Sequence, residues 1–273
     1  MLSLISGETQ FVALDPAETA LARAKGAKVK IVAPVIVGMP VYIVVPQSSP
    51  VRSVLDLKGK TIATATAPIT SYSALQSLFT KNGFVEVAKD QWRPKGSSAE
   101  GDTINIVQVA LGNEIALIKA GRADAANVQP PFEAVAGKTM NTRILYRYAT
   151  EGEFLFNVIS VMEDTIRRNP DVVQRFVNAM AKTYCFIRQS PDEASKIATK
   201  YLERLDPDVV SASFRQMTTD HAFPKSPTIS HEAFDNNFNK LLVETNHPAA
   251  RANFEDLMET SFAQKAEAQY ACN

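Results

Sequence analysis

Four consecutive polar residues, Thr70, Ser71, Tyr72 and Ser73, stand where a predicted strand gives way to a predicted helix. The N-terminus of a helix offers N–H groups with no intrahelical partner and about half a positive charge, which suits an anion or a polar oxygen. Hydroxyls there add donors and acceptors. Taken alone, Thr70 or Ser71 reads as a helix cap. A second polar group, Asn127, Gln129 and Pro130, closes the predicted strand 124–129. Side-chain amides in that position can donate to an anion or grip the polar edge of a ring. The plainer alternative is a polar loop finishing a strand. Gln108, at the end of predicted strand 104–109, is a candidate of the same kind. This is chemistry of binding rather than of bond making.

The rest of the chain carries few reactive signatures. There is no GxSxG elbow, no Gly-rich phosphate loop and no HxxxH or HExxH spacing. His221, His231 and His247 are scattered, so no metal site is expected, and no cofactor. Cys185 and Cys272 lie far apart; they read as free thiols by default, with a single bridge as the alternative. With 29 basic and 29 acidic residues and no basic stripe, nucleic acid is not an expected partner. Trp92, with Arg93 and Lys95, falls in a charged, Gly- and Ser-containing stretch, 89–102, and reads as a surface feature of a loop.

The elements that must position these groups follow from periodicity and punctuation. A helix end at 2–6, a strand at 10–14 and a helix at 17–25 opened by Asp15 and Pro16 come first. Asp15 reads first as an N-cap. The most apolar stretch, 29–46, is broken by Lys30, Pro34, Gly38, Pro40 and Pro46, so it reads as two buried strands, 29–33 and 41–45. Ser53 and Asp56 pair in one helical turn. Strand 61–66, helix 71–82, strand 104–109, helix 112–120 and strand 124–129 alternate, which argues a mostly parallel sheet with helices on both faces. Strand 154–162 follows, and Phe154, Phe156 and Asn157 within it could stack on or hold a ligand, although alternating strand residues more often form core. Beyond it three helices open at Asn169-Pro170, Ser190-Pro191 and Asp206-Pro207, and further helix is predicted over 231–245 and 252–268.

The segment DLKGK at 56–60, the strand and hydroxyl-opened helix after it, AGRADAANVQPPFEAVA at 120–136 and the NPDVV to PDEA helices resemble the NMT1/THI5-like solute-binding proteins of ABC importers, the SsuA/TauA-like group for sulfonates, taurine, nitrate and thiamine-pyrimidine precursors. FEDLMETSFAQKA near the C-terminus is similar to that group's usual ending. The resemblance implies an α/β, two-lobed type II periplasmic-binding-protein fold. One lobe would hold 1–42 plus 162–273 and the other 47–150, with 41–45 and 156–161 as hinge strands. It implies a periplasmic protein or membrane-anchored lipoprotein that passes a small solute to a membrane permease, non-enzymatic, and a monomer if full length.

By that resemblance the ligand contacts are Asp15, Thr70, Ser71, Tyr72, Gln108, Asn127, Gln129, Pro130, Phe154 and Asn157. Asp15 departs from the small or hydroxyl residue usual at its position and would repel an anion unless it meets a cation or an amine. Met1 falls where the family's second helix ends, so the N-terminal β-α-β unit of the first lobe is expected to be missing, and no signal peptide is recognisable in MLSLISGETQ. Two rivals share the fold. A thiamine-pyrimidine synthesis enzyme would need a cysteine-rich iron motif and an active histidine, and a sensor domain of a regulator would need a helix-turn-helix ahead of residue 1.

Overall fold

The computed structural model describes residues 1–148, 152–270 and 272. In chain order it holds α1 (Leu2–Ile5), β1 (Val12–Leu14), α2 (Pro16–Ala24), β2 (Val29–Val37), β3 (Tyr42–Pro46), β4 (Thr61–Ala65), α3 (Thr70–Lys81), β5 (Phe84–Ala88), β6 (Gln91–Pro94) and β7 (Ile104–Val109). Then come α4 (Glu114–Lys119), β8 (Ala125–Val128), α5 (Phe132–Met140), β9 (Thr142–Arg147), β10 (Leu155–Met162), α6 (Glu163–Arg168), α7 (Pro170–Gln189), α8 (Pro191–Tyr201) and α9 (Pro207–Thr219). The chain ends with α10 (His231–Asp235), a π-helical stretch Asn236–Leu241, α11 (Leu242–Glu244), α12 (Phe254–Leu257) and α13 (Ser261–Tyr270). Among the described residues no helix is long and apolar enough to cross a membrane.

The elements form two units. One contains Met1–Met39, Glu151–Lys200 and Met217–Asn273; the other contains Pro40–Thr150 and Tyr201–Gln216. Residues 201–216 join the second unit through α5: Lys138 Nζ meets Asp206 at 2.7 Å and Asp208 at 2.9 Å, and Ser213 Oγ donates to Glu133 at 2.6 Å.

In the first unit a three-stranded sheet, in the order β1-β10-β2, is antiparallel throughout. Neighbouring residues of a strand face opposite sides, and both sides are covered. Ile31 and Val158 pack with Ala17, Ala20, Phe234 and Phe238 on one face, while Val32 and Ile159 pack with Val173, Val177 and Phe262 on the other. The stripe at helical spacing in α7 forms this contact: Val173, Val177, Ala181 and Tyr184 are buried. Tyr184 donates its hydroxyl to the Pro34 carbonyl on β2. Cys185 and Cys272 are bonded to each other with Cα atoms 5.4 Å apart, which corrects the free-thiol default. The packing of α13 on α7 brings the two cysteines together, and their separation in sequence conceals it. The helix expected over 252–268 is broken at 258–260, where Met258 bridges to Ile31 of β2 and Glu259 N–H donates to the Ile31 carbonyl.

In the second unit seven strands run β5-β6-β7-β4-β8-β3-β9. Only β7-β4-β8 is parallel; β3 is antiparallel to β8 and β9, and β5-β6-β7 is an antiparallel meander. The sheet is therefore mixed rather than mostly parallel. The chain reverses at Asp90, whose φ of 61° turns the predicted loop into a hairpin. On that hairpin Trp92 is 5% exposed and packs on Phe79 of α3, with ring centroids 5.6 Å apart. Trp92 is thus core, because the helix supplies an apolar face that the loop's composition does not reveal. The opposite face of the sheet is closed by α4 and α5, the latter following Pro131 where only a polar stop was expected. Gly112 is required between β7 and α4: a Cβ there would lie 2.6 Å from the Phe132 ring, and φ is +92°.

Candidate ligand-binding site

Parallel pairing of β7, β4 and β8 sets Gln108, Thr64 and Asn127 in one row near the carboxyl ends of the three strands. Crevices at strand ends of open α/β sheets are where ligands bind. Strand β4 leaves this edge through the cis peptide Ala67–Pro68, and β8 through the cis peptide Pro130–Pro131. After β4 the chain enters α3 at Thr70, one residue earlier than predicted. Ile69 holds the N-cap position and provides no side-chain cap. Thr70 and Ser71 are therefore not caps, in contrast to the simpler sequence reading. They lie inside the first turn, each 1% exposed.

Asn127 ties the two strand ends to that turn. Its Nδ2 donates to Thr64 Oγ1 at 3.1 Å and to the Ser71 carbonyl at 2.9 Å. Gln129 Nε2 donates to Ser71 Oγ at 3.1 Å, which leaves the Ser71 proton available to donate. Asn127 is 1% exposed, and its Oδ1 accepts from no partner among the described residues. A buried acceptor left unmet costs roughly 1–3 kcal/mol. Pro130 is half-buried directly beyond Gln129.

Tyr72 and Gln108 are engaged elsewhere. The Tyr72 hydroxyl donates to Asp90 Oδ1 at 2.8 Å, and Gln108 Nε2 donates to both Asp90 oxygens at 2.9 and 3.0 Å. Gln108 Oε1 accepts from the Ala67 N–H at 2.9 Å. Burial first, and then the Asp90 hydrogen bond, push the Tyr72 phenol well above the usual tyrosine pKa. These two side chains hold the hairpin turn and the β4 exit in place beside the candidate site. Asp90 and Thr64 escaped the sequence analysis. Thr64 sits in the small-residue strand TIATA, where only register with Asn127 gives it a role. Glu114, at the start of α4, is a fully buried acid that was also missed; it accepts from the Gly112 N–H at 2.8 Å, and burial pushes its carboxyl pKa up.

The remaining candidates belong to the first unit. Asp15 caps α2 by accepting from the Ala17 N–H at 2.9 Å. Phe154 and Phe156 are both core, 5% and 4% exposed, and Asn157 is half-buried at a register irregularity opposite Ile36. Concavities of about 590 Å³, beside Lys138, Ser211 and Arg215, and about 380 Å³, beside Lys30, Met258 and Glu259, do not include the predicted site residues. Among the described residues no three His, Cys, Asp or Glu side chains gather as metal ligands.

The NMT1/THI5 like family model matches residues 3–194 of this chain. The chain belongs to the NMT1/THI5-like family. Its fold, α/β and two-lobed as in periplasmic binding proteins, recurs in solved structures. One is the ligand binding component of an ABC-type import system from Staphylococcus aureus, at a TM-score of 0.74 and 15% identity over 97% of this chain and 84% of that one. Another is the periplasmic aliphatic sulphonate binding protein SsuA from Escherichia coli, at 0.70 and 16%, covering 95% and 78%. The desulfurization enzyme DSZB also shares the fold, at 0.65 and 13%, covering 96% and 86%. No curated protein matches this chain in sequence. The same fold thus carries both binding proteins and an enzyme.

Proposed function

We propose that this protein is the solute-binding component of an ABC importer. It takes up a small polar organic solute at the carboxyl ends of β4 and β8, against the first turn of α3, and presents it to a membrane permease. The observation that carries this reading is the Asn127–Ser71–Gln129 cluster at the start of a twelve-residue helix. Such a turn provides donors for an anionic or polar group, and the buried Asn127 and half-buried Gln129 add directional contacts. Family membership and the roles of the Staphylococcus aureus and Escherichia coli proteins support it. The Cys185–Cys272 disulfide supports an oxidising compartment such as the periplasm or the outer face of the membrane.

The enzyme reading has DSZB in its favour. Against it, the two cysteines are bonded to each other, so neither supplies a thiolate at this site. Calorimetry and thermal melting of the full chain with alkanesulfonates, 2-aminoethanesulfonate, nitrate and aminopyrimidines test the proposal. Saturable heat and a raised melting midpoint with one class are expected. Absence of both across the panel overturns it.

A further inference from the structure

The amide of Asn127 cannot be turned over. The Ser71 carbonyl is an acceptor only, so the nitrogen must face it at 2.9 Å; the same nitrogen also reaches Thr64 Oγ1 at 3.1 Å. Both amide protons are spent, and Oδ1 is the group left over, on a side chain that is 1% exposed, beside the first turn of α3. The helix turn and the Ser71 hydroxyl present donors, whereas Asn127 Oδ1 presents an acceptor. A ligand made only of acceptors satisfies the first and leaves the second unmet.

We propose that Asn127 is the specificity-determining residue of this site, and that the solute must carry a hydrogen-bond donor, an ammonium, amide N–H or hydroxyl, to meet its Oδ1. The proposal rests on the solute-binding reading above and narrows it: bare inorganic oxyanions such as nitrate and sulfate are rejected. Rejection of this kind is steep, because a site built to hydrogen-bond a group discriminates strongly against an analogue lacking it.

The test is titration calorimetry of the full chain with matched pairs. Ethanesulfonate is compared with 2-aminoethanesulfonate and with 2-hydroxyethanesulfonate, and propanoate with 3-aminopropanoate; nitrate and sulfate are run alone. In at least one pair the donor-bearing member binds tenfold or more tightly, and the amino and hydroxy arms tell which donor is used. In Asn127→Ala that ratio falls to about one. Should the variant fail to fold, the wild-type pairs still decide. Equal affinity within every pair that binds, or binding of nitrate or sulfate as tight as that of the best organic member, overturns the donor requirement while leaving solute binding intact. A ratio unchanged in a folded Asn127→Ala protein removes Asn127 from the role. No binding by any probe overturns both readings together.

Discussion

Tyr72, in the first turn of α3, donates to Asp90, at the tip of the β5–β6 hairpin, across 2.8 Å, and thereby ties the helix that carries the candidate site to the edge of its sheet. Gln108 reaches the same carboxylate from β7, so one turn residue gathers three elements. Removing the phenol hydroxyl, Tyr72→Phe, leaves Gln108 bonded and should cost about 1–1.5 kcal/mol in urea denaturation. Asp90→Ala strands both donors and should cost more. A smaller loss for Asp90→Ala than for Tyr72→Phe would remove the carboxylate as the organising group.

The same phenol makes stability fall at alkaline pH. Its folded pKa lies well above the ordinary tyrosine value of about 10, chiefly through burial, so the folded state keeps its proton where the unfolded chain has released it. The contribution is complete below about pH 10 and is lost as pH rises toward the folded value. Tyr184, buried on α7, shifts in the same direction for the same reason. The expected outcome is a falling melting midpoint above about pH 10, reduced in Tyr72→Phe and reduced further in the double variant with Tyr184→Phe.

His247 should act at the acid end. Its Nδ1 accepts from the Ala249 N–H at 3.0 Å, the side chain is 7% exposed, and burial lowers its pKa below 6.5. The folded state therefore binds the proton less readily than the unfolded chain. Stability is fully present above the unfolded pKa and declines as pH falls through about 6.5 toward the folded value. Melting in steps from pH 8 to 5 should show a steeper decline for the wild type than for His247→Gln, whose amide stays neutral; parallel curves would contradict this.

Reduction of Cys185–Cys272 should weaken the first unit. The bridge spans a sequence separation of 87 residues. Chain-entropy reasoning puts the contribution of a loop of that size at about 4–5 kcal/mol. Dithiothreitol should lower the urea midpoint accordingly, and without reductant no thiol should react with iodoacetamide under denaturing conditions.

Trp92 is the sole tryptophan of the chain, so its emission reports one place. Its burial against Phe79 predicts a blue-shifted maximum in the native protein that moves to the red on unfolding. Trp92→Ala should cost about 3–5 kcal/mol by emptying that contact. A red-shifted native spectrum would place the hairpin away from α3.

What the amino-acid sequence determines by itself is local. Prolines at the first helical position open α7, α8 and α9, Asp15 caps α2, and Ser53 pairs with Asp56, because each device acts within one helical turn. Alternating apolar residues and glycine stops mark β4, α3, β7 and β8 within a residue or two. The family resemblance rests on the order of those same elements, which is why the two-lobed fold was legible. Only the tertiary structure decides the direction of β3 relative to β8, the burial of Trp92, the pairing of two cysteines and the diversion of Gln108 to Asp90. Each depends on groups distant in sequence that meet only after the sheet forms. The candidate site divides along the same line. Its hydroxyls and amides could be read from the chain, but which amide protons are spent and which oxygen meets no partner among the described residues follows from the register that sets Thr64 beside Asn127 and from the carbonyl that Ser71 turns toward it.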